Sequence, residues 1–470
     1  LIERQEARVS HGPIPERNLP RVLGPLSIVG IVVGTMIGSG IFIVPSSMAG
    51  ELKSPLLMLA VWVVGGVLSF FGALSLSELG AAYPHAGGMY VYLREAYGPL
   101  VAFLFGWTLF LIIDAGSMAT LAVAFSSKYL PQFVSLSPVA TKAVAVALIF
   151  ALAVVNFFGV KWGALVQNLF TVIKLAALFA LIGAVFAFAK GSAAHFVTPA
   201  PGAPAGGVMG AFGVALVAVL WAFKGWEVST FSAGELKNPE KNLPLGIFVG
   251  TLLVILLYLG ANLAYLYAFP VQDIAKSSRI ASDVMAFAVG PAGGTFIALA
   301  ILFSITGACN GHLLTGPRVY YAMAKDGVFF KSVARLHPRF LTPHFSLLAV
   351  SIWASLLCAS GTFEQLFTYV VFGLWIFFGL TVGAVMILRR KRPDLPRPYR
   401  TWGYPVTPVL FIIAALYISV NSLIAKFSNT VIGLVIILLG IPAYLYWKRK
   451  SAVAREDPAS GAAATHGPGT

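Results

Sequence analysis

The chain has 470 residues, 58% of them hydrophobic and only 10% charged, with a mean hydropathy of +0.87. A soluble globular domain carries about 25% charged residues, so these figures exclude a soluble fold and predict an all-helical protein that crosses a membrane many times. The net charge of +15 would suit a nucleic-acid partner, but its placement along the chain points to a lipid surface instead.

Residues 1–20 are polar and charged, without a signal-peptide pattern, and 451–470 are rich in small residues. Both read as disordered cytoplasmic tails. Between them, uncharged length and loop punctuation predict twelve helices, near 22–49, 56–81, 100–127, 139–157, 165–189, 210–233, 245–269, 294–324, 345–360, 366–388, 405–424 and 431–447. Residues 21–400 then form a ten-helix core, and 401–450 add two helices. With the N-terminus inside, seven of the 32 Lys and Arg fall in outer loops (Lys53, Lys128, Lys142, Lys190, Lys276, Arg279 and Lys426). Lys174 and Lys224 fall within spans, and the remainder lie on the inner side. That asymmetry is the positive-inside rule, and it predicts a plasma-membrane protein with both termini cytoplasmic.

The first span contains GTMIGSGIFIVP at 34–45. Gly34, Gly38 and Gly40, with Thr35 and Ser39 among them, weaken a helix, since each Gly costs about 1 kcal/mol relative to Ala. Two readings are open: a span that breaks partway across, lining a cavity, or a close-packing face of small residues. The sixth span repeats the signal in LWAFKGWEVSTFSAG at 220–234, where Gly225 sits between Lys224 and Glu227. Charges inside a span are costly and mark function by default. The two interruptions are five helices apart, an odd number, so equivalent segments would run in opposite directions. Paired interruptions in inverted halves point to the binding site of a secondary transporter.

With these features in place, four segments resemble the amino acid–polyamine–organocation permeases. GTMIGSGIF (34–42) is similar to the family's first-helix motif, and the sixth helix with GELKNPEKNLP (234–244) to its counterpart there. YPHAGGMYVYLREAYGP (83–99) is similar to the loop between helices two and three. GACNGHLLTGPRVYYAMAKDG (307–327) resembles helix eight of the L-amino-acid-transporter branch. The resemblance implies a five-plus-five inverted-repeat fold, like that of the leucine transporters, with two added C-terminal helices. It also implies a substrate held by its α-amino and α-carboxylate groups at the two breaks. The N–H groups of Gly38, Ser39 and Gly40 would bind carboxylate, because a helix N-terminus attracts anions. Carbonyls near Ile37 and Phe223 would bind the amine, with Gly225 at the second break.

Lys174 lies too deep in its span to snorkel, and it matches a helix-five Lys of sodium-independent relatives. There the ammonium takes the place of a sodium ion and braces helices one and eight, so the resemblance predicts sodium independence. Ser304 and Thr306 are candidate partners, and proton coupling through Lys174 is a further possibility. Glu227 is either a proton carrier or an ion-pair partner of Lys224, three residues earlier. Lys224 departs from the family pattern; facing the cavity it could meet an acidic substrate side chain, Asp114 or Glu227. Asp114 either faces the substrate or serves the polar neighbourhood of Gly116 and Ser117. Asn310 lies by the cavity or bonds between helices. Phe223, Trp226 and Trp375 are gates, pocket walls or packing.

Phosphate-binding loops, H-E-x-x-H and clustered Cys/His ligands are missing from the sequence, which argues against an enzyme, a metal or another cofactor. The expected function is secondary transport of L-amino acids by alternating access, through proton symport or exchange. Rivals are a channel or amino-acid sensor of the same fold, or a carrier of polyamines or other organic amines. The loop at 128–139 has no Cys, so no disulfide-linked accessory subunit is expected there; the partners are the small-molecule substrate and membrane lipid.

Overall fold

The computed structural model describes residues 19–204, 206–360, 363–425 and 427–456. All but the edges of the two expected tails, 1–20 and 451–470, lie outside these residues. The first span is two helices, α1 (Pro25–Met36) and α2 (Gly40–Leu52), with Ile37–Ser39 unwound between them. Next come α3 (Pro55–Ala82), the short α4 (Met89–Tyr97), and a long third span built from α5 (Pro99–Thr108) and α6 (Asp114–Ala124) joined by a π turn. The fourth and fifth spans are α7 (Pro138–Phe157) and α8 (Val160–Phe188).

The sixth span is again divided, into α9 (Gly207–Ala222) and a 3₁₀ segment, Val228–Glu235, around a turn at 223–227. Then follow α10 (Pro239–Ala268), the short α11 (Val271–Lys276) and α12 (Ile280–Val289), and an eighth span made of α13 (Pro291–Thr315) and α14 (Pro317–Lys325). The chain ends with α15 (His344–Ser360), α16 (Phe363–Lys391), α17 (Val406–Ala425) and α18 (Phe427–Glu456). Among the described residues, ten helices are long and apolar enough to cross a membrane. The interrupted α9 and the short α15 fall below that length, and with them the twelve expected helices are all present.

Several starts are set locally. Ser54 and Ser137 accept hydrogen bonds from the N–H groups of Leu57 and Ala140, and a proline follows each serine; both are ordinary N-cap chemistry. The third and eighth spans begin on the same device. Gly98 (φ 93°, ψ 175°) precedes Pro99, and Gly290 (φ 86°, ψ 176°) precedes Pro291, each after a short helix. A matched turn five spans apart is what an internal repeat leaves behind. The direction is inverted: the start of the first span meets the end of the sixth, where the Val22 and Leu23 N–H groups donate to the Glu235 carbonyl at 2.9 and 3.0 Å.

The outer surface is apolar. Leu165, Leu169, Val172, Phe179 and Phe186 are exposed along α8, whereas Gln167, Thr171 and Lys174 on its other face are buried. Apolar outside and polar inside is the arrangement that lipid imposes. This is a multi-pass membrane protein.

Candidate functional site

The two breaks face each other. Gly225 has φ 131°, and a Cβ there would lie 2.7 Å from the Met36 nitrogen and 2.9 Å from the Thr35 carbonyl carbon. A Cβ on Gly40 would lie 2.8 Å from Cα of Ala222. Only glycine permits the first conformation cheaply, and only glycine lets the two backbones approach so closely. Here the glycines serve the crossing of two broken spans rather than the packing of two intact ones.

A broken helix leaves carbonyls without intrahelical partners, and in a dry interior these need donors. Lys174, fully buried on α8, donates to the carbonyls of Gly34 (2.7 Å), Ile37 (2.6 Å) and Ser304 (2.8 Å). The Ser304 hydroxyl lies 2.9 Å from the Ile37 carbonyl and 3.3 Å from that of Gly38. Lys174 therefore directs all three ammonium protons at backbone, tying the first break to α13. Thr306 bonds the Leu302 carbonyl of its own helix. The Tyr258 hydroxyl on α10 is within reach of the last carbonyl of each first half-helix, Met36 at 2.8 Å and Ala222 at 3.1 Å. Nothing in the sequence marks Tyr258; one aromatic among many in an apolar run looks like packing.

Across the cavity a polar chain runs through three spans. The Lys224 ammonium donates to the Ser117 hydroxyl at 2.9 Å and faces His312 Nε2 at 3.4 Å. His312 Nδ1 lies 2.7 Å from an Asp114 carboxylate oxygen, and the Tyr320 hydroxyl is 3.2 Å from the other. A charged Lys224 can only donate, and in that state His312 Nε2 is the acceptor and Nδ1 carries the proton toward Asp114. Gly316 makes room for the acid, since a Cβ there would overlap the Asp114 carboxylate. Glu227 accepts from the Gly225 N–H at 2.9 Å and stands 4.0 Å from Lys224, at the limit of an ion pair. Glu227 thus holds the second turn together through its side-chain carboxylate, which accepts from the turn's backbone. His312 was hidden within the helix-eight motif, where its relation to Asp114 needs the fold to appear.

A cavity of about 30 Å³ lies between the breaks, lined by Thr35, Met36, Gly38, Ser39, Gly40, Ser117, Leu121, Trp221, Ala222, Lys224 and His312. That volume admits water but not an amino acid, so the breaks are drawn together. Of the expected substrate residues, Gly38, Ser39, Gly40 and Lys224 line this cavity. The Ile37 carbonyl is turned to Lys174. Phe223 packs against Trp62 and Tyr258, and Trp226 and Trp375 pack with Phe378 and Phe411. Asn310 bonds the Gly163 carbonyl at 3.1 Å and Gln167 at 2.8 Å, and it accepts from Asn156 at 2.8 Å. Its side chain joins three helices instead of facing the cavity. Among the described residues no group of three or more His, Cys, Asp or Glu could hold a metal. Cys309 and Cys358 are buried free thiols.

Two interrupted, oppositely running spans with a polar cavity at their crossing define a membrane carrier of the broken-helix type. The chain belongs to the amino acid permease family, whose model matches residues 23–442. Within the amino acid–polyamine–organocation superfamily it falls in the L-amino-acid-transporter branch; it is a permease, not an enzyme. It is 33% identical to the b(0,+)-type amino acid transporter 1 of Homo sapiens over 87% of this chain and 84% of that one. It is 31% identical to the serine/threonine exchanger SteT of Bacillus subtilis over 93% and 99%. Against the cystine/glutamate transporter of Homo sapiens it is 31% identical over 92% and 87%.

Proposed function

We propose that this protein is a sodium-independent carrier of L-amino acids, working by alternating access in the plasma membrane with both termini cytoplasmic. The observation that carries the sodium independence is Lys174. Its ammonium sits among three backbone carbonyls of the first and eighth spans, a cage of the kind that coordinates a monovalent cation. A fixed positive charge there removes both the need and the room for sodium. Amino-acid transport is supported by membership in the permease family and by relatives that carry amino acids.

The α-carboxylate is assigned to the N–H groups at the start of α2, around Ser39 and Gly40, where the helix offers donors that have no acceptor within it. The Ile37 carbonyl already receives Lys174 and Ser304, which leaves the substrate ammonium to the neighbourhood of Phe223. Between exchange and proton symport, exchange is favoured. The Bacillus subtilis relative, matched over nearly its whole length, is an exchanger, and Glu227 is occupied in bracing the Gly225 turn. No disulfide-linked accessory subunit is required.

The test is uptake into proteoliposomes with a radiolabelled amino-acid panel, with sodium or choline outside and unlabelled amino acids or buffer inside. Saturable uptake that needs internal amino acid and ignores sodium is expected. Absence of saturable uptake of every amino acid in both loading conditions would remove the transport reading.

A further inference from the structure

The cavity between the breaks has an unbalanced lining. Among the described residues that line it, Lys224 and His312 are the titratable ones, and none is a carboxylate. Of the two nearby acids, neither lines the cavity, and Glu227 alone reaches Lys224, at 4.0 Å. Asp114 lies behind His312, bonded to its Nδ1 and to Tyr320, and one Glu227 oxygen takes the Gly225 N–H. The hydrogen bonds of the Lys224 ammonium go to neutral acceptors, the Ser117 hydroxyl and His312 Nε2, with the Glu227 carboxylate at 4.0 Å. Ser39, which lines the cavity, has a buried hydroxyl without a hydrogen-bond partner among the described residues. Ser39 leads directly into α2, whose first N–H groups also favour negative charge.

We propose that Lys224, supported by His312, is a specificity-determining group that receives a carboxylate on the substrate's side chain, making this a carrier for acidic amino acids. The inference rests on the amino-acid transport reading given above and adds the substrate class to it. A dicarboxylic amino acid would place one carboxylate at the α2 terminus and the other on the third proton of Lys224, which can turn from Glu227. His312 fixes the ammonium's direction: its Asp114-bound Nδ1 holds the ring so that Nε2 presents a lone pair to the charged Lys224. The same ammonium repels a cationic side chain in a space with little water to screen it. Neutral residues could enter, but they would leave the Lys224 ammonium with the Glu227 carboxylate at 4.0 Å as its one counter-charge within ion-pair distance.

Proteoliposomes are loaded with unlabelled glutamate, serine, leucine or arginine and assayed with each of the four as label. The expected result is saturable uptake of glutamate that exceeds serine and leucine, with no uptake of arginine. Uptake of arginine or of neutral residues without glutamate overturns the inference while leaving transport standing; uptake of none of the four also overturns the inference, and only absence of uptake across the full amino-acid panel overturns the transport reading. Lys224→Met should raise KM for glutamate relative to that for serine by about tenfold or more, the scale expected when a buried charge loses its partner. An unchanged ratio overturns the role of Lys224. Independently of any variant, wild-type protein in detergent should gain thermal stability from glutamate or aspartate but not from arginine. The reverse order overturns the proposal even if Lys224→Met does not fold.

Discussion

Lys174 and Ile37 are 137 residues apart, yet the lysine ammonium lies 2.6 Å from the isoleucine carbonyl. The contact joins an uninterrupted helix to the broken one and makes the break a defined structure rather than a frayed end. Replacing Lys174 with Ala removes a donor from each of three buried carbonyls, and an unsatisfied buried polar group costs about 1–3 kcal/mol. Transport by Lys174→Ala should fall at least about tenfold, with a lower thermal midpoint, while wild-type uptake is equal in sodium and choline. Wild-type kinetics in the variant would refute the bracing role. Sodium-stimulated uptake by the wild type would refute the substitution of lysine for the ion.

The glycines divide into two groups by what a methyl would meet. Gly225→Ala forces an alanine into φ 131° and against Met36, and Gly40→Ala presses on Ala222. Gly183, exposed on the apolar outer face of α8, is different: a methyl there would meet nothing within 4 Å. Gly183→Ala should therefore be neutral or slightly stabilising, by up to about 1 kcal/mol from helix propensity, while the other two lose transport and thermal stability. Equal effects at all three, by detergent thermal melts and uptake, would contradict the close crossing of the breaks.

Much of this fold is legible in the chain itself. Twelve helices, two breaks, their inversion and the family follow from uncharged length, clustered glycines and four motifs. Those signals are local, and lipid makes them strict because backbone cannot be left unpaired in it. What is not legible depends on rotation of intact helices. Asn310 and His312 are two residues apart on α13 and so point in different directions, one to Gln167 and Asn156, the other to Asp114 and Lys224. An apolar helix surrounded by lipid and protein has no strong amphipathic stripe to announce that rotation. The matched Gly98-Pro99 and Gly290-Pro291 turns do leave a readable trace, an internal repeat of Gly-Pro before a span.

Asn310 gives a separable prediction. Its amide links Gly163, Gln167 and Asn156 and leaves the cavity untouched. Asn310→Ala should lower the thermal midpoint, since two neighbouring amides lose partners at about 1–3 kcal/mol for a buried group. KM for the transported amino acid should stay within about twofold, less than about 1 kcal/mol of binding. A rise in KM beyond about tenfold without loss of stability would place Asn310 at the substrate after all.

Arg318 and Glu235 form a two-pronged pair, Nε to Oε2 at 2.7 Å and a terminal nitrogen to Oε1 at 2.9 Å, with both side chains buried. Arg318 stands at the start of α14, and Glu235 ends the sixth span, where its carbonyl also receives the Val22 and Leu23 N–H groups. The pair thus fastens the first, sixth and eighth spans at one end of the bundle, an end that would have to open under the alternating-access mechanism proposed above. Removing one partner leaves a buried charge and costs about 3–5 kcal/mol, whereas replacing both with apolar residues is often near neutral. Arg318→Met and Glu235→Leu should each lower the thermal midpoint, and the double variant should recover most of the loss. Transport should not recover with it, because separating an apolar pair exposes greasy surface to water, whereas two separated charges are rehydrated. Recovery of both properties would reduce the pair to a structural clip; recovery of neither would mean that the two charges act through other partners.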